Sequence, residues 1–270
     1  MWTKLVAVTV LVGEWLLDRI DRLVARSSLI GTPPTFAPTD FPWTHVLEAG
    51  WPQMRAELDQ LLEHRSHLPN FQDISTDQAS ITDDDRWKTY FLYGFGHRSD
   101  ANCTRCPETA RLVAAVPGMQ TAMFSILAPG KHIPEHCGPY KGLLRYHLAL
   151  KVPTNAEGCR IRIGDRVTTW TEGESLMFDD TYEHEVWNDT DEERVVLFLD
   201  VVRPLRFPMN ILNRLVLRAI AVSPFVADAK ARQRAWERDF SARVPPPPLA
   251  PPPIARVRPP AATSRSSSSE

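Results

Sequence analysis

Two histidines, His136 and His184, are the residues whose types and spacing point most directly to chemistry. They are forty-eight positions apart, and each lies in a segment with a strand-like pattern. Arg145 and His147 come nine and eleven positions after the first, and Arg194 comes ten after the second. Imidazole is a good ligand for iron, and an arginine can bind a carboxylate through two parallel hydrogen bonds. The spacing therefore indicates an iron site beside a pocket for an acidic co-substrate.

The position that would complete the commonest iron site holds no ligand. Non-haem iron oxygenases usually add a carboxylate to two histidines, commonly two residues after the first histidine. Here that position is Gly138. Asp179 and Asp180 are the nearest alternatives, and we expect Asp180 to accept a hydrogen bond from an imidazole or a bound water instead of reaching the metal. From the residues alone, a site without iron and a two-histidine iron site completed by water both fit.

Short motifs surround both histidines at fixed spacings. The first is "HCGP" at 136–139, followed by "RYH" at 145–147, and the second is "FDDTYEHEVWN". These motifs resemble those of the aspartyl/asparaginyl β-hydroxylases and their bacterial relatives that hydroxylate acyl chains. In that family the first ligand motif is histidine-x-glycine-proline, so the resemblance accounts for Gly138. It covers about residues 85–203 and extends to a co-substrate arginine at Arg194 and a serine at Ser125.

The resemblance implies a dioxygenase that depends on Fe(II) and 2-oxoglutarate and uses O2 to hydroxylate an unactivated C–H bond. In such an enzyme His136 and His184 would bind the iron, with Asp180 and Gly138 just behind them. Arg194 would bind the far carboxylate of 2-oxoglutarate. The residues expected to contact the co-substrate are Ser125, Arg145, His147 and Arg194.

The same resemblance leaves two classes of substrate open. Members that modify proteins hydroxylate Asp or Asn and often carry helical repeats, and this chain has no such repeats. Bacterial members of similar layout hydroxylate the 2-position of acyl chains on lipid A or ornithine lipids. Residues 209–222 combine arginines with apolar residues, which is typical of a helix on a membrane surface. An acyl-chain hydroxylase is therefore predicted. The alternatives are a hydroxylase of a peptide, protein or free amino acid, and a non-catalytic cupin-like binding protein.

The pattern of the whole chain predicts an α+β protein with a double-stranded β-helix core of the jelly-roll or cupin type. "WKTYFLYGF" reads as a strand, and turn signals separate the later strands at short, regular intervals. Those strands are predicted at 120–127, 143–152, 159–163, 166–170, 175–178, 183–188 and 194–202. Helices are predicted at 5–24, 43–63, 209–222 and 224–240, with a short one over "TRCPETARLVAAV". The acidic stretch "NFQDISTDQASITDDDR" is interpreted as a surface loop.

These elements predict five segments along the chain. They are an N-terminal amphipathic helix (1–30), a helical and loop lead-in (31–84), the β-helix domain (85–205), C-terminal helices (206–241) and a tail rich in proline and serine (242–270). The tail cannot bury enough apolar surface to fold, so it is predicted to be disordered.

The net charge and the cysteine content of the chain argue against some classes of protein and bear on its expected location. A net charge of −2 argues against a dedicated nucleic-acid binder. Cys103 and Cys106 are the only close pair among four cysteines, which is too few for a disulfide scaffold or, alone, for a structural zinc. We expect reduced thiols and a cytoplasmic protein. The oligomeric state is not indicated.

The N-terminal segment fits two interpretations. Its apolar run at 5–12 is shorter than the roughly 20 residues of a membrane-spanning helix. An amphipathic helix packed on the domain and a helix in a membrane interface both fit residues 5–24. Contact of residues 5–24 and 209–222 with lipid would place the protein peripherally at the inner face of the cytoplasmic membrane.

Overall fold

The computed structural model describes residues 18–245. Within this range the helices are α1 (18–27), α2 (Thr44–Ala49), α3 (Trp51–Leu62), α4 (Phe71–Ile74), α5 (Asp100–Arg105), α6 (Pro107–Ala114), α7 (Met209–Ala221) and α8 (Pro224–Arg243). The strands are β1 (Thr35–Phe36), β2 (Trp87–Gly94), β3 (His97–Arg98), β4 (Met119–Leu127), β5 (Lys131–His136), β6 (Leu143–Lys151), β7 (Cys159–Ile163), β8 (Arg166–Thr169), β9 (Ser175–Phe178), β10 (His184–Asn188) and β11 (Arg194–Val202).

The strands form two antiparallel sheets with a shared core. The larger sheet has the order β1-β9-β6-β11-β4-β2-β3, and the smaller has the order β5-β10-β7-β8. Side chains from both sheets meet in one apolar cluster, with Met123 and Val196 from the larger sheet and Ile161 and Val186 from the smaller. Two facing antiparallel sheets of this kind form a jelly roll. The protein is α+β with a cupin-type barrel, so the predicted fold class is confirmed.

Strand β11 shows how the alternation of side chains separates two cores. Leu197 and Leu199 join a cluster covered by helices α2, α3, α6 and α8, whereas Val196 and Phe198 join the cluster between the sheets. Successive side chains of a strand point to opposite faces. Arg194 therefore shares the inner face with Val196 and Phe198, and this parity places a charged side chain inside the barrel.

Helices α1 and α7 pack against each other outside the barrel. Ile20 and Val24 of α1 contact Leu205 and Met209 at the start of α7. The predicted lipid-contacting segments are thus neighbours where the structure describes both, and residues 5–17 of the first lie outside the described residues. Within residues 18–245 no single helix has the length and apolarity to span a membrane; α7 and α8 together meet those criteria, but a 54° bend separates them.

Several strand predictions are confirmed, including 159–163, 175–178 and 194–202, whose bounds are unchanged. The single helix predicted over 43–63 is wrong, because α2 and α3 are separate helices that meet at Gly50. Pro52 lacks the amide hydrogen that a continuous helix would donate to Glu48. The helix predicted over "TRCPETARLVAAV" likewise divides into α5 and α6 before Pro107.

The acidic stretch interpreted as a loop is also wrong in part, because it contains α4 and a 3-10 turn at Thr76–Ser80. A capping box begins α4, with the Asn70 backbone N–H donating to the Asp73 carboxylate at 3.1 Å. The predicted disorder of the tail concerns residues that lie almost entirely outside the described range.

Candidate active site

Two neighbouring strands of the smaller sheet bring the predicted histidines face to face. His136 ends β5 and His184 begins β10, and the two are directly paired in the antiparallel register. Their ring centroids are 4.1 Å apart, with an interplanar angle of 50°. The segment around His136 was predicted to be strand-like, but no bounds were predicted for β5, which contains Pro134. It lies at the edge of the sheet, where a proline is tolerated.

Hydrogen bonds set the tautomer of both rings. Nδ1 of His136 lies 2.8 Å from the Pro134 carbonyl oxygen, and Nδ1 of His184 lies 3.0 Å from that of Tyr182. A carbonyl oxygen only accepts, so each Nδ1 carries the hydrogen and each Nε2 keeps its lone pair for a metal. Burial lowers the pKa of both rings, and the charge of Arg145 adds to this; that of His184 falls to about 3. The rings are therefore neutral, which is the form that binds metals.

The carboxylate of Asp180 fills the space beside Gly138. The Gly138 backbone N–H donates to the Asp180 carbonyl oxygen at 2.6 Å. A Cβ at position 138 would lie 2.1 Å from Asp180 Oδ2, so a larger residue cannot be accommodated unless Asp180 moves. The Asp180 carboxylate lies 2.9 Å from Arg145, so its partner is this guanidinium and not an imidazole. Burial raises the pKa of Asp180 to about 6, and Arg145 opposes that rise.

The guanidinium of Arg145 is bound by two carboxylates, so it is not free to bind a ligand. Besides Asp180, its guanidinium contacts Asp200 Oδ1 at 3.1 Å and lies over the Phe198 ring, 4.4 Å from the centroid. Asp200 was not predicted as a site residue. It lies on the inner face of β11 at the same parity as Arg194, and this alternation was the signal that could have identified it.

In the part of the chain that the structure describes, Arg194 is a buried cation without an acidic partner. Its side chain is 2% exposed and packs over the Trp170 ring at 4.7 Å. Among residues 18–245 no carboxylate lies within 4 Å of it, and its Nε has no hydrogen-bond partner. Burial lowers its pKa to about 10, and the Cys159 thiol offsets this slightly. A buried charge without a partner is unfavourable in free energy. We therefore expect an anion to bind beside Arg194.

His147 and Ser125 add neutral hydrogen-bonding groups to the same interior. Neither ring nitrogen of buried His147 has a hydrogen-bond partner within the described residues. Burial, with Arg194 nearby, holds the pKa of His147 well below the usual range. Ser125 Oγ accepts from Trp87 Nε1 at 3.0 Å, so the hydroxyl hydrogen can still be donated. Trp170 was not predicted, yet its buried indole N–H also lacks a partner.

Ring contacts connect the anion pocket to the histidine pair. His147 lies 6.1 Å from Trp170 and 5.2 Å from Phe178, and Phe178 lies 5.7 Å from His184, measured between ring centroids. Ser125, His147, Arg194 and the two histidines therefore occupy one interior, and Arg145 lies at its mouth. Within the described residues no group of three or more His, Cys, Asp or Glu side chains is arranged to hold a metal.

Asp179 is part of the support of the site and does not face the metal position. It is fully buried, and its carboxylate binds Arg203 at 2.5 Å and Lys141 at 2.9 Å. The backbone N–H of Thr181 also donates to it, at 3.2 Å. These contacts fix the loop between β9 and β10, and that loop leads into His184.

The described residues thus form a cupin-type barrel that encloses two facing imidazoles and a buried guanidinium without a carboxylate partner. Residues 48–204 match the model of the aspartyl/asparaginyl β-hydroxylase family, and the chain belongs to that family. It is 46% identical to an ornithine lipid ester-linked acyl 2-hydroxylase of Rhizobium tropici over 222 residues, which are 82% of this chain and 79% of that protein. The protein is therefore a hydroxylase, as the sequence predicts.

More distant similarities involve smaller parts of the compared proteins. The human aspartyl/asparaginyl β-hydroxylase is 31% identical over 185 residues, which are 66% of this chain but 24% of the human protein. Among solved structures, the Cnp3 cupin domain of Schizosaccharomyces pombe aligns with a TM-score of 0.32 and 9% identity, covering 50% of this chain and 74% of that domain.

Proposed function

We propose that this protein is an Fe(II)- and 2-oxoglutarate-dependent dioxygenase that hydroxylates the 2-position of an acyl chain on a membrane lipid of the ornithine lipid or lipid A type. The observation that carries the co-substrate proposal is Arg194, a buried guanidinium without a carboxylate partner among the described residues. It lies in the same interior as two imidazoles whose Nε2 atoms are available to a metal.

The donor set fits Fe(II) and a dicarboxylate. His136 and His184 would hold the iron through Nε2, and imidazole suits this metal. Arg194 would bind the far carboxylate of 2-oxoglutarate, which would neutralise the buried charge. His147 and Ser125 would donate hydrogen bonds to the co-substrate. Bound iron would supply the activation of O2 and the oxidation of a C–H bond, while the protein orients the reactants and excludes water.

The proposed iron ligands are tested by His136→Ala and His184→Ala. Each should abolish Fe(II) binding and Fe(II)-dependent succinate formation, because a site with two protein ligands has none to spare. His132→Ala is the matched control, since His132 lies on β5 as well but is exposed and paired with Glu185 at 2.7 Å. Unchanged iron affinity and succinate yield in either site variant would refute the metal assignment.

The lipid substrate is supported by the rhizobial relative, an ornithine lipid ester-linked acyl 2-hydroxylase. The human relative supports the alternative of an aspartyl or asparaginyl residue. A non-catalytic cupin-like protein is disfavoured by the match to a family of hydroxylases, and Fe(II)-dependent succinate formation separates it from the enzyme. Mass spectrometry after incubation with ornithine lipid, lipid A or an Asp-containing peptide decides between the substrates. A lipid substrate would place the protein in the cytoplasm at the inner face of the cytoplasmic membrane.

A further inference from the structure

A groove of about 590 Å³ lies between helix α8 and the inner face of the larger sheet. Its walls are largely apolar, with Phe91 and Tyr93 from β2, Ile74 from α4, and Phe225 and Ala229 from α8. Binding sites for small molecules have this size and are mainly lined by apolar side chains. The groove can therefore enclose an extended apolar group.

The inner end of the groove adjoins the histidine pair. Arg145 and Asp180 line it there, and the Asp180 carbonyl oxygen accepts from Gly138, two residues after His136. Phe198 lines the groove and also belongs to the core between the sheets. A group in the groove would thus end next to the proposed iron site.

The outer end of the groove opens at the turn between α7 and α8. Ile220 and Phe225 line it on either side of this turn, and Val222 within the turn is 80% exposed. Phe225 packs edge-on against Phe95, with ring centroids 6.4 Å apart. An apolar path therefore leads from an exposed apolar surface to the site.

The charges at the inner end disfavour an acidic peptide. Asp180 and Asp200 already flank Arg145, so the carboxylate of an aspartyl substrate would be the third around one guanidinium. A saturated hydrocarbon chain would add no further carboxylate beside Arg145.

We propose that this groove holds the acyl chain of the lipid substrate, with the 2-position at the Arg145 end and the methyl end toward the α7–α8 turn. The assignment rests on the proposed function for the identity of the substrate. It adds the residues that bind the chain and that set the chain length the protein accepts.

Ala229→Trp tests the groove, because the indole would fill it from α8. Ala227→Trp is the matched control, since Ala227 is exposed on the same helix and does not line the groove. The probe is the methyl ester of cis-parinaric acid, a fluorescent long-chain acyl ester without a carboxylate, titrated into the full-length protein with circular dichroism as a check of folding. Wild type and Ala227→Trp should bind it with similar Kd, and Ala229→Trp should bind at least about tenfold more weakly.

Ala101→Trp fills the groove from α5 on another wall and should also weaken binding. On the wild-type protein, displacement of the probe by methyl esters of saturated fatty acids should strengthen from roughly eight to sixteen carbons in the acyl chain, because each added methylene is buried. The proposal is overturned if wild type does not bind the probe, if folded groove variants bind it as wild type does, or if affinity is independent of chain length. Weakened binding in the variants, with no succinate formed even by wild type, would support the groove while refuting the proposed function.

Discussion

Arg194 and Arg145 lie on neighbouring strands, but their surroundings give them different tasks. Arg145 is compensated by Asp180 and Asp200, whereas Arg194 has no such partner among the described residues. A ligand carboxylate gains most where it meets an uncompensated charge. Arg194 is therefore the residue expected to determine co-substrate affinity, and Arg145 is expected to orient what lies at the mouth of the site.

Arg194→Ala should weaken 2-oxoglutarate binding by about 2–5 kcal/mol, because the far carboxylate would be buried without its charged partner. Arg194→Lys should recover only part of this affinity, since an ammonium cannot make two parallel hydrogen bonds. Titration of 2-oxoglutarate into the Fe(II)-loaded protein measures both variants. The same Kd for wild type and the Ala variant would show that another residue holds this carboxylate.

Gly138→Asp restores the carboxylate of the usual iron triad, yet it should not raise turnover. The added Cβ would collide with Asp180, which is held by Arg145 and cannot easily move. Gly138→Ala should already lower Fe(II) affinity, and by less in an Asp180→Ala background, where the space is open. The coupling in this double-mutant cycle measures the collision. A several-fold gain in turnover for Gly138→Asp, or additive effects in the cycle, would contradict this account.

The strands and helices that could be predicted are those whose sequence pattern is local. Strand β7 alternates arginines with apolar residues, whereas β9 and β11 are mainly continuous apolar runs; all three lie between clear turns, and their bounds matched. The bounds of strand β5 were not predicted, because Pro134 breaks the pattern and its position at the sheet edge is a tertiary property. The spacings of residues around His136 and His184 predicted which residues form the site. The collision of Asp180 with a side chain at position 138 could not be predicted, because it depends on a loop contact that no spacing encodes.

An ion pair between Arg203 and Asp179 fixes the loop before β10. Its contribution to stability can be compared with that of Arg194, which has no carboxylate partner among the described residues. Arg203 is fully buried and bound to Asp179 at 2.5 Å. Arg203→Met should lower the free energy of unfolding by about 3–5 kcal/mol, because Asp179 would lose a buried partner. Arg194→Met in the ligand-free protein should cost far less or stabilise, since no pair is broken. Urea unfolding of both variants checks this, and equal losses would mean that Arg194 has a structural partner after all.

At the scale of the whole molecule, α1 and α7 together present an apolar surface with a basic border. Ile211 and Leu215 are 49% and 53% exposed, and their spacing of four places them on one face of α7. Phe207, in the turn before this helix, is 78% exposed. Arg214 and Arg218 are exposed on α7, and within residues 18–245 no carboxylate lies within 4 Å of either. Exposed apolar residues bordered by cations are typical of contact with an anionic lipid surface.

Binding to anionic liposomes is therefore expected at low salt. Each basic residue near such a surface contributes about 1 kcal/mol, and salt screens that attraction. Co-sedimentation should weaken at high salt and in the double variant Arg214→Glu, Arg218→Glu. The matched control, Arg160→Glu with Arg166→Glu, makes the same charge change on β7 and β8 of the smaller sheet and should still bind. Equal losses in both double variants would indicate attraction by net charge alone. A wild-type protein that stays in the supernatant at low salt would favour a soluble peptide or amino-acid substrate.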